Sequence, residues 1–186
     1  MIKFFLKSLM LPLQDIDAAL PRAGMIYDLG CGEGIVSFYL ARSTPQRQVI
    51  GIDLDINKIS RARPLPNLKF IHADLTQINL HSASGCLLSD VLHHLSPRIQ
   101  RQLLHQISRE LKPGSVCVIK EINAADTIRS KLSRFWDWIF YPQDKIYYWR
   151  AQDLVKTMKQ LGFKVKFTPA MPWFPGSTNL FVCIKP

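Results

Sequence analysis

Three glycines alternate at positions 30, 32 and 34 in the stretch YDLGCGEGI, directly after a short apolar run and Asp28. A turn of this kind between a strand and a helix lets a ligand lie against the main chain, because a Cβ there would block its approach. A P-loop would need Gly-Lys-Ser/Thr, and a dinucleotide fingerprint would need glycine at position 35, which is Ile. The loop therefore predicts a ligand of another class, with a tight turn that binds nothing as the alternative.

The elements that flank this loop alternate in the pattern of a parallel α/β sheet. Strands are predicted at 25–29, 48–54, 68–73, 85–90 and 115–122, followed late in the chain by the runs FKVKFTP and NLFVCIKP. Helices are predicted at 34–43, 56–63, 97–111 and about 151–161. The connection from 74 to 84 is short and polar, so we expect it to be mostly loop.

Length and composition favour one domain over residues 1–186, because 186 residues at 47% hydrophobic content suffice for a single well-buried core. Within it we expect an N-terminal helical segment (1–24) and a helical, aromatic segment on the substrate side (123–150). The formal charge of +10 favours an anionic partner without choosing among phosphates, nucleic acid and acidic lipid. The four cysteines form no Cys-x-x-Cys pair, which predicts free thiols, a cytoplasmic location and no metal site.

The N-terminal stretch MIKFFLKSLMLPL is apolar, but it is too short to span a bilayer and is interrupted by Lys7. We expect it to pack on the domain, with peripheral contact to an anionic membrane as the alternative.

The loop YDLGCGEG resembles the first motif of the class I S-adenosylmethionine-dependent methyltransferases. Further matches follow in order: Asp53 in GIDLD, Asp74 in IHADL, then LLSDVLHHL and LKPGS. The combination is far more specific than the glycine loop alone, and it extends from about Gly24 to the C-terminal strand. One departure is SASGC, which replaces the acidic residue usual before the fourth strand. The resemblance implies a Rossmann-like, doubly wound sheet of about seven mostly parallel strands, with an antiparallel C-terminal strand and helices on both faces.

S-adenosylmethionine is the cofactor that this resemblance implies. Asp53 would accept hydrogen bonds from the ribose hydroxyls, with Asp55 as the alternative if the strand ends two residues later. Asp74 would lie near the adenine amino group, and the amide of Leu75 would face a ring nitrogen. The remaining residues expected around the cofactor are Asp28, Gly30, Cys31, Gly32, Gly34, Leu54 and Asp90.

Methyl transfer to a hydroxyl or an acidic carbon also requires removal of a proton, for which a positioned histidine is suited. Small-molecule O-methyltransferases of plant type resemble the segment after the fourth strand and carry their base where His93 falls. We therefore predict His93 as the base and His94 as second choice; the alternative is that both only cap a helix or pack against the cofactor. Glu121, at the end of the fifth strand, is a candidate for orienting the substrate, with a solvated strand end as the alternative.

Aromatic residues are concentrated at 135–149, which reads FWDWIFYPQDKIYYW. In methyltransferases of this class the segment often forms part of the substrate pocket, so Tyr147, Tyr148 and Trp149 are candidate substrate residues, although ordinary core packing explains part of the pattern. The favoured function is methyl transfer to a small, lipophilic acceptor, by O- or C-methylation. The alternatives are an RNA or other nucleic-acid methyltransferase, which SDVL in place of an Asn/Asp-Pro-Pro-Tyr motif makes less favoured, and a non-catalytic module that binds S-adenosylmethionine.

Overall fold

The computed structural model describes residues 11–123, 145–170 and 178–186. The helices in these ranges are α1 (Leu13–Ala19), α2 (Ile35–Ser43), α3 (Ile56–Ile59), α4 (Pro97–Glu110) and α5 (Ala151–Gln160). The strands are β1 (Gly24–Leu29), β2 (Arg47–Asp53), β3 (Leu68–His72), β4 (Ala83–Ser89), β5 (Val116–Glu121), β6 (Lys164–Ala170) and β7 (Thr178–Ile184). Short 3₁₀ turns cover Leu75–Gln77 and Leu92–His94.

The seven strands form one sheet in the order β3-β2-β1-β4-β5-β7-β6. Neighbouring strands from β3 to β5 are parallel, and β7 runs antiparallel to both β5 and β6. The predicted doubly wound sheet with an antiparallel C-terminal strand is confirmed. The direction of winding reverses between β1 and β4, and the carboxyl ends of strands at such a switch point are where ligands bind in open α/β sheets.

Helices cover both faces of the sheet. Ile16 of α1 and Leu40 of α2 are buried on one face, together with Ile26 of β1. Leu104 of α4 and Leu154 of α5 are buried on the other face. Because successive strand residues point to opposite faces, the strands are apolar on both sides, as a sheet sandwiched between helices requires.

The fully buried Arg47 fixes the chain around α1 to the start of β2. Its guanidinium group donates to the Asp17 carboxylate and to the backbone carbonyl oxygens of Asp17, Leu20 and Pro21, with distances to these three oxygens of 2.7 to 3.1 Å. Such a charged group tolerates burial only when its donors are satisfied in this way. Residues 11–20 therefore pack on the sheet. Most of the stretch MIKFFLKSLMLPL, residues 1–10, lies outside the described residues, so its packing stays a prediction.

Two of the predicted element boundaries need correction. The helix expected at 56–63 is only the single turn Ile56–Ile59, capped by Asp55, whose carboxylate accepts from the amides of Asn57 and Lys58. Pro64 disfavours helical geometry in the residue before it, which limits any extension of this turn. In the segment 123–150, residues 145–150 have no regular secondary structure, and 124–144 lie outside the described residues.

The four cysteines are free thiols, and three of them are buried on neighbouring strands. Cys86, Cys117 and Cys183 lie side by side in register on β4, β5 and β7. Burial raises the pKa of the Cys183 thiol, which suits an unreactive core residue. Among the described helices, we find none with the length and apolar character that crossing a bilayer requires.

Candidate active site

The glycine loop after β1 adopts left-handed backbone geometry at all three glycines, with φ of 80° at Gly30, 57° at Gly32 and 78° at Gly34. A Cβ at Gly30 would lie 2.5 Å from the Val91 side chain, and one at Gly34 would lie 2.5 Å from the Phe70 ring. A Cβ at Gly32 would meet no atom within 4 Å. The expectation that a ligand excludes side chains at all three positions therefore needs correction, because internal packing already excludes them at Gly30 and Gly34, and Gly32 faces open space.

Asp53, the last residue of β2, holds this loop in place. Its Oδ2 accepts from the amide of Gly32 at 2.8 Å, and its Oδ1 accepts from the amide of Asp55 at 2.9 Å. The amides of Gly30 and Cys31 donate to the carbonyl oxygen of Ile52 at 2.7 and 2.9 Å. Each carboxylate oxygen has a second lone pair, so Asp53 can still accept from the hydroxyls of a ligand while it shapes the loop. Asp55 is instead committed to capping α3.

Asp28 lies behind the loop and is fully buried. Its carboxylate accepts a hydrogen bond of 2.5 Å from the Ser37 hydroxyl at the start of α2. Burial raises the pKa of Asp28 to about 6, and the nearby charge of Asp53 acts in the same direction, while the Ser37 bond opposes both. The side chain supports the loop from inside the protein, which differs from the direct cofactor contact that the resemblance implies for it.

The turn after β2 presents apolar side chains to solvent next to Asp53. Leu54 is 68% exposed and Ile56 is 52% exposed, which is unusual for large aliphatic residues in so apolar a sheet. Asp74 follows β3 and is also exposed; its Oδ1 accepts from the amide and the hydroxyl of Thr76. The half-buried Leu75 comes next. The sequence-predicted pairs Asp53 and Leu54 on β2, and Asp74 and Leu75 after β3, thus lie at the carboxyl ends of adjacent strands.

Asp90 follows β4 and has a φ of 57°, the single positive φ among the described non-glycine residues. Its Oδ2 accepts from Nζ of Lys120 on β5 at 2.5 Å. Burial alone would raise the pKa of Asp90, but the Lys120 ammonium, with smaller contributions from His93 and His94, lowers it below its usual value. Asp90 is therefore a carboxylate at neutral pH. Lys120 was missed by sequence reasoning, although a lysine inside the otherwise apolar run SVCVIKEI was a usable signal.

His93 and Glu121 form a buried pair at the ends of the parallel strands β4 and β5, and are 1% and 2% exposed. Nδ1 of His93 lies 2.6 Å from Oε2 of Glu121, and the amide of Leu92 donates to Oε1 at 2.8 Å. An ionised carboxylate only accepts, so the ring proton of a neutral His93 resides on Nδ1 and the lone pair on Nε2. The sequence-based alternative of a solvated strand end at Glu121 is wrong, and the carboxylate contacts His93 instead of an open surface.

Residues 145–150 lie against this pair. The amide of Tyr147 donates to the carbonyl oxygen of His93 at 2.8 Å, and the Tyr148 ring stacks on the imidazole with 5.5 Å between centroids. The Gln100 amide group fixes the segment to α4 by donating to the carbonyl oxygens of Leu92 and Tyr147. The predicted residues Tyr147 and Tyr148 are therefore brought to the predicted base.

The other two predicted residues of this region occupy different environments. The His94 ring is a close neighbour of His93, with 4.3 Å between the centroids. Trp149 packs against the core beneath α4 and α5, and its buried Nε1 has no hydrogen-bond partner within the described part of the chain.

The sheet order, the glycine loop and the carboxylate that ends β2 define the fold of the class I S-adenosylmethionine-dependent methyltransferases. Residues 26–114 match the family model described as a methyltransferase domain. This match and the fold confirm the resemblance to this class of methyltransferases, whose cofactor is S-adenosylmethionine.

Similar proteins include the carboxy-S-adenosyl-L-methionine synthase of Aliivibrio salmonicida, which is 31% identical over 105 residues, 52% of this chain and 43% of that protein. The trans-aconitate 2-methyltransferase of Deinococcus radiodurans is 30% identical over 113 residues, 59% of this chain and 43% of that protein. The matches thus span less than half the length of these relatives. Human N-acetylserotonin methyltransferase, solved in complex with S-adenosylmethionine, superposes with a TM-score of 0.75 at 17% identity, over 94% of this chain and 52% of that one.

Proposed function

We propose that this protein transfers a methyl group from S-adenosylmethionine to a small, lipophilic acceptor, by O- or C-methylation assisted by His93. The observation that carries the proposal is the buried His93–Glu121 pair beside the glycine loop. A base of this kind is needed for a hydroxyl or an acidic carbon, whereas an amine that is neutral at the working pH needs none.

The residues around the loop fit the cofactor. Asp53 has lone pairs for two ribose hydroxyls, Leu54 offers an exposed apolar face for the adenine ring, and Asp74 with Leu75 provides polar groups at its edge. The open space over Gly32 allows a ligand to approach the main chain there. When bound, S-adenosylmethionine supplies an electrophilic methyl group on its sulfonium.

Glu121 acts in this proposal as a positioning residue. Its carboxylate holds the imidazole in one tautomer and stabilises the positive charge that His93 acquires when it takes the acceptor's proton. A positioned base of this type contributes about 10²- to 10⁴-fold in rate. His94 remains the second choice because its ring adjoins that of His93.

The acceptor is proposed to be lipophilic and partly anionic. Tyr147 and Tyr148 provide aromatic surface next to His93, with Trp149 following, and the chain carries a formal charge of +10. One relative is named for trans-aconitate, an anionic acceptor, which supports the same preference. A cytoplasmic location with peripheral contact to anionic membrane accords with this acceptor class. Flotation with anionic liposomes at low and moderate salt tests the membrane contact. A protein that stays in the soluble fraction at both salt concentrations would contradict it.

The proposal is tested by incubating the purified protein with labelled S-adenosylmethionine and with phenolic, lipid and RNA extracts. We expect label in a small phenolic or lipid product, and at least about 100-fold slower labelling with His93→Gln. Transfer to RNA alone would support the nucleic-acid alternative. Tight binding of S-adenosylhomocysteine without transfer to any extract would support the non-catalytic alternative.

A further inference from the structure

The ion pair between Asp90 and Lys120 has an incomplete set of hydrogen bonds. Oδ2 of Asp90 bonds to Lys120 Nζ, but the buried Oδ1 has no hydrogen-bond partner among the described residues. Lys120 itself is only 5% exposed, although it lies near the end of its strand. A buried carboxylate oxygen without a hydrogen-bond donor costs folding free energy. Where such an oxygen lies at a ligand-binding edge, a donor that arrives with the ligand would satisfy it.

The Asp90 end of this pair adjoins the glycine loop and lies three residues before the proposed base in sequence. Val91, the residue after Asp90, is the side chain that a Cβ on Gly30 would strike, so the backbone at Asp90 adjoins the loop. His93 follows three residues later along the chain and contributes to the lowered pKa of Asp90. The backbone of Asp90 is also fixed, because its amide donates to the carbonyl oxygen of Lys120 at 3.0 Å. Both charges thus lie at the edge of the sheet that carries the glycine loop and the proposed base.

We propose that Asp90 and Lys120 form a paired-charge site for the α-ammonium and α-carboxylate groups of the cofactor's methionine portion. The inference rests on the proposed function and adds Lys120 to the cofactor site. Oδ1 of Asp90 accepts from the ammonium group, and the lysine ammonium, which has three donors and uses one on Asp90, donates to the carboxylate.

The paired arrangement explains why a lysine is tolerated at this position of β5. A lone buried ammonium would be strongly disfavoured, whereas the pair is neutral as a whole and matches a ligand end that is also neutral as a whole but carries two opposite charges. A purely structural ion pair would stabilise the fold to the same extent whether or not a ligand carries the amino-acid group.

The test compares two ligands by calorimetric titration of the full chain. S-adenosylhomocysteine carries the amino-acid end, and 5′-methylthioadenosine has the same adenosine and thioether but lacks it. In Lys120→Met and Asp90→Asn we expect affinity for S-adenosylhomocysteine to fall about 10- to 100-fold, as for loss of a charge-assisted hydrogen bond, with affinity for methylthioadenosine within about twofold of wild type. Lys120→Arg is expected to restore part of the loss, and the exposed Lys112→Met serves as the matched control.

The outcomes are separable. The paired-charge site is overturned if the variants lose affinity equally for both ligands, or lose affinity for neither. It is also overturned if a Lys120 variant raises only the KM of the acceptor. If Lys120→Met does not fold, the ratio of the two affinities in the near-isosteric Asp90→Asn decides. If the wild-type protein binds neither ligand, the proposed function itself is contradicted. If the wild-type protein binds both ligands and the variants keep the wild-type ratio of the two affinities, only this inference is contradicted.

Discussion

Nδ1 of His93 lies 2.6 Å from the Glu121 carboxylate, although 28 residues separate the two in sequence. Parallel pairing of β4 with β5 creates the contact, because it brings the carboxyl ends of both strands to the same edge. The other carboxylate oxygen accepts from the amide of Leu92, so one glutamate fixes both the ring and the backbone turn that carries it.

Glu121→Gln should separate these two roles. An amide oxygen can still accept from Leu92, but the side chain no longer carries the negative charge that stabilises a protonated His93. We expect kcat to fall by about 10²-fold or more, with the affinity for S-adenosylhomocysteine and the melting temperature close to wild type. Glu121→Ala, which removes both interactions, should lower the melting temperature as well. A Gln variant with wild-type kcat would show that the carboxylate has no part in the reaction.

Asp53→Ala is expected to weaken binding of S-adenosylhomocysteine by at least about tenfold, because it removes the ribose acceptor and releases the amide of Gly32. Asp55→Ala is the matched control, since it removes a carboxylate two residues away that caps α3 and pairs with Lys58 on the same turn. It should cost about 1 kcal/mol of folding stability and little affinity. Calorimetric titration of both variants checks this, and a larger loss in Asp55→Ala would reassign the ribose to that residue.

Gly34→Ala and Gly32→Ala should behave differently although they lie two residues apart. The Cβ at position 34 would enter the Phe70 ring, so that variant is expected to lose about 1–3 kcal/mol of folding stability. The Cβ at position 32 meets open space in the protein, and only the backbone cost of a positive φ, about 1 kcal/mol, applies. We expect Gly32→Ala to lose mainly cofactor affinity. Denaturant unfolding and titration together test this, and equal effects on stability would contradict it.

The sequence was informative wherever a local pattern determined the structure. Alternating apolar runs and helical spacing predicted an α/β alternation and most element boundaries. The resemblance carried by the glycine loop and Asp53 implied the arrangement of the sheet and the place where the cofactor would bind. What it could not reveal were contacts made through the sheet. Side chains are excluded at Gly30 and Gly34 by the packing of Val91 and Phe70. The buried carboxylate of Glu121 is paired with His93, and the ammonium group of Lys120 is paired with Asp90. Each of these partners is distant in sequence, and no spacing rule connects them.

Asp28 should make stability depend on pH. Its pKa is raised from 3.8 to about 6 in the folded protein, so the folded state binds this proton more tightly than the unfolded state. The resulting stabilisation is fully present below pH 3.8 and is lost as the pH rises through about 6. Asp28→Asn keeps the side-chain shape and removes the titration. We therefore expect the stability of wild type relative to this variant to fall by about 2 kcal/mol between pH 4 and pH 7, as measured by urea unfolding. A difference that is independent of pH would contradict the raised pKa.

His93→Gln separates a catalytic role from a structural one. If His93 removes the acceptor's proton, its loss should lower turnover by roughly 10²-fold or more and leave cofactor affinity near wild type, since the imidazole acts only as charge shifts in the transition state. A structural histidine would behave differently, because the turn it occupies adjoins the glycine loop through Val91, and its loss should then lower the melting temperature and cofactor affinity together. His94→Gln is the matched control on the neighbouring ring. Near-normal turnover in His93→Gln with the true acceptor would rule out His93 as the base. An impaired His94→Gln would then assign the base to His94. If both variants remain active, the acceptor is an amine that needs no base.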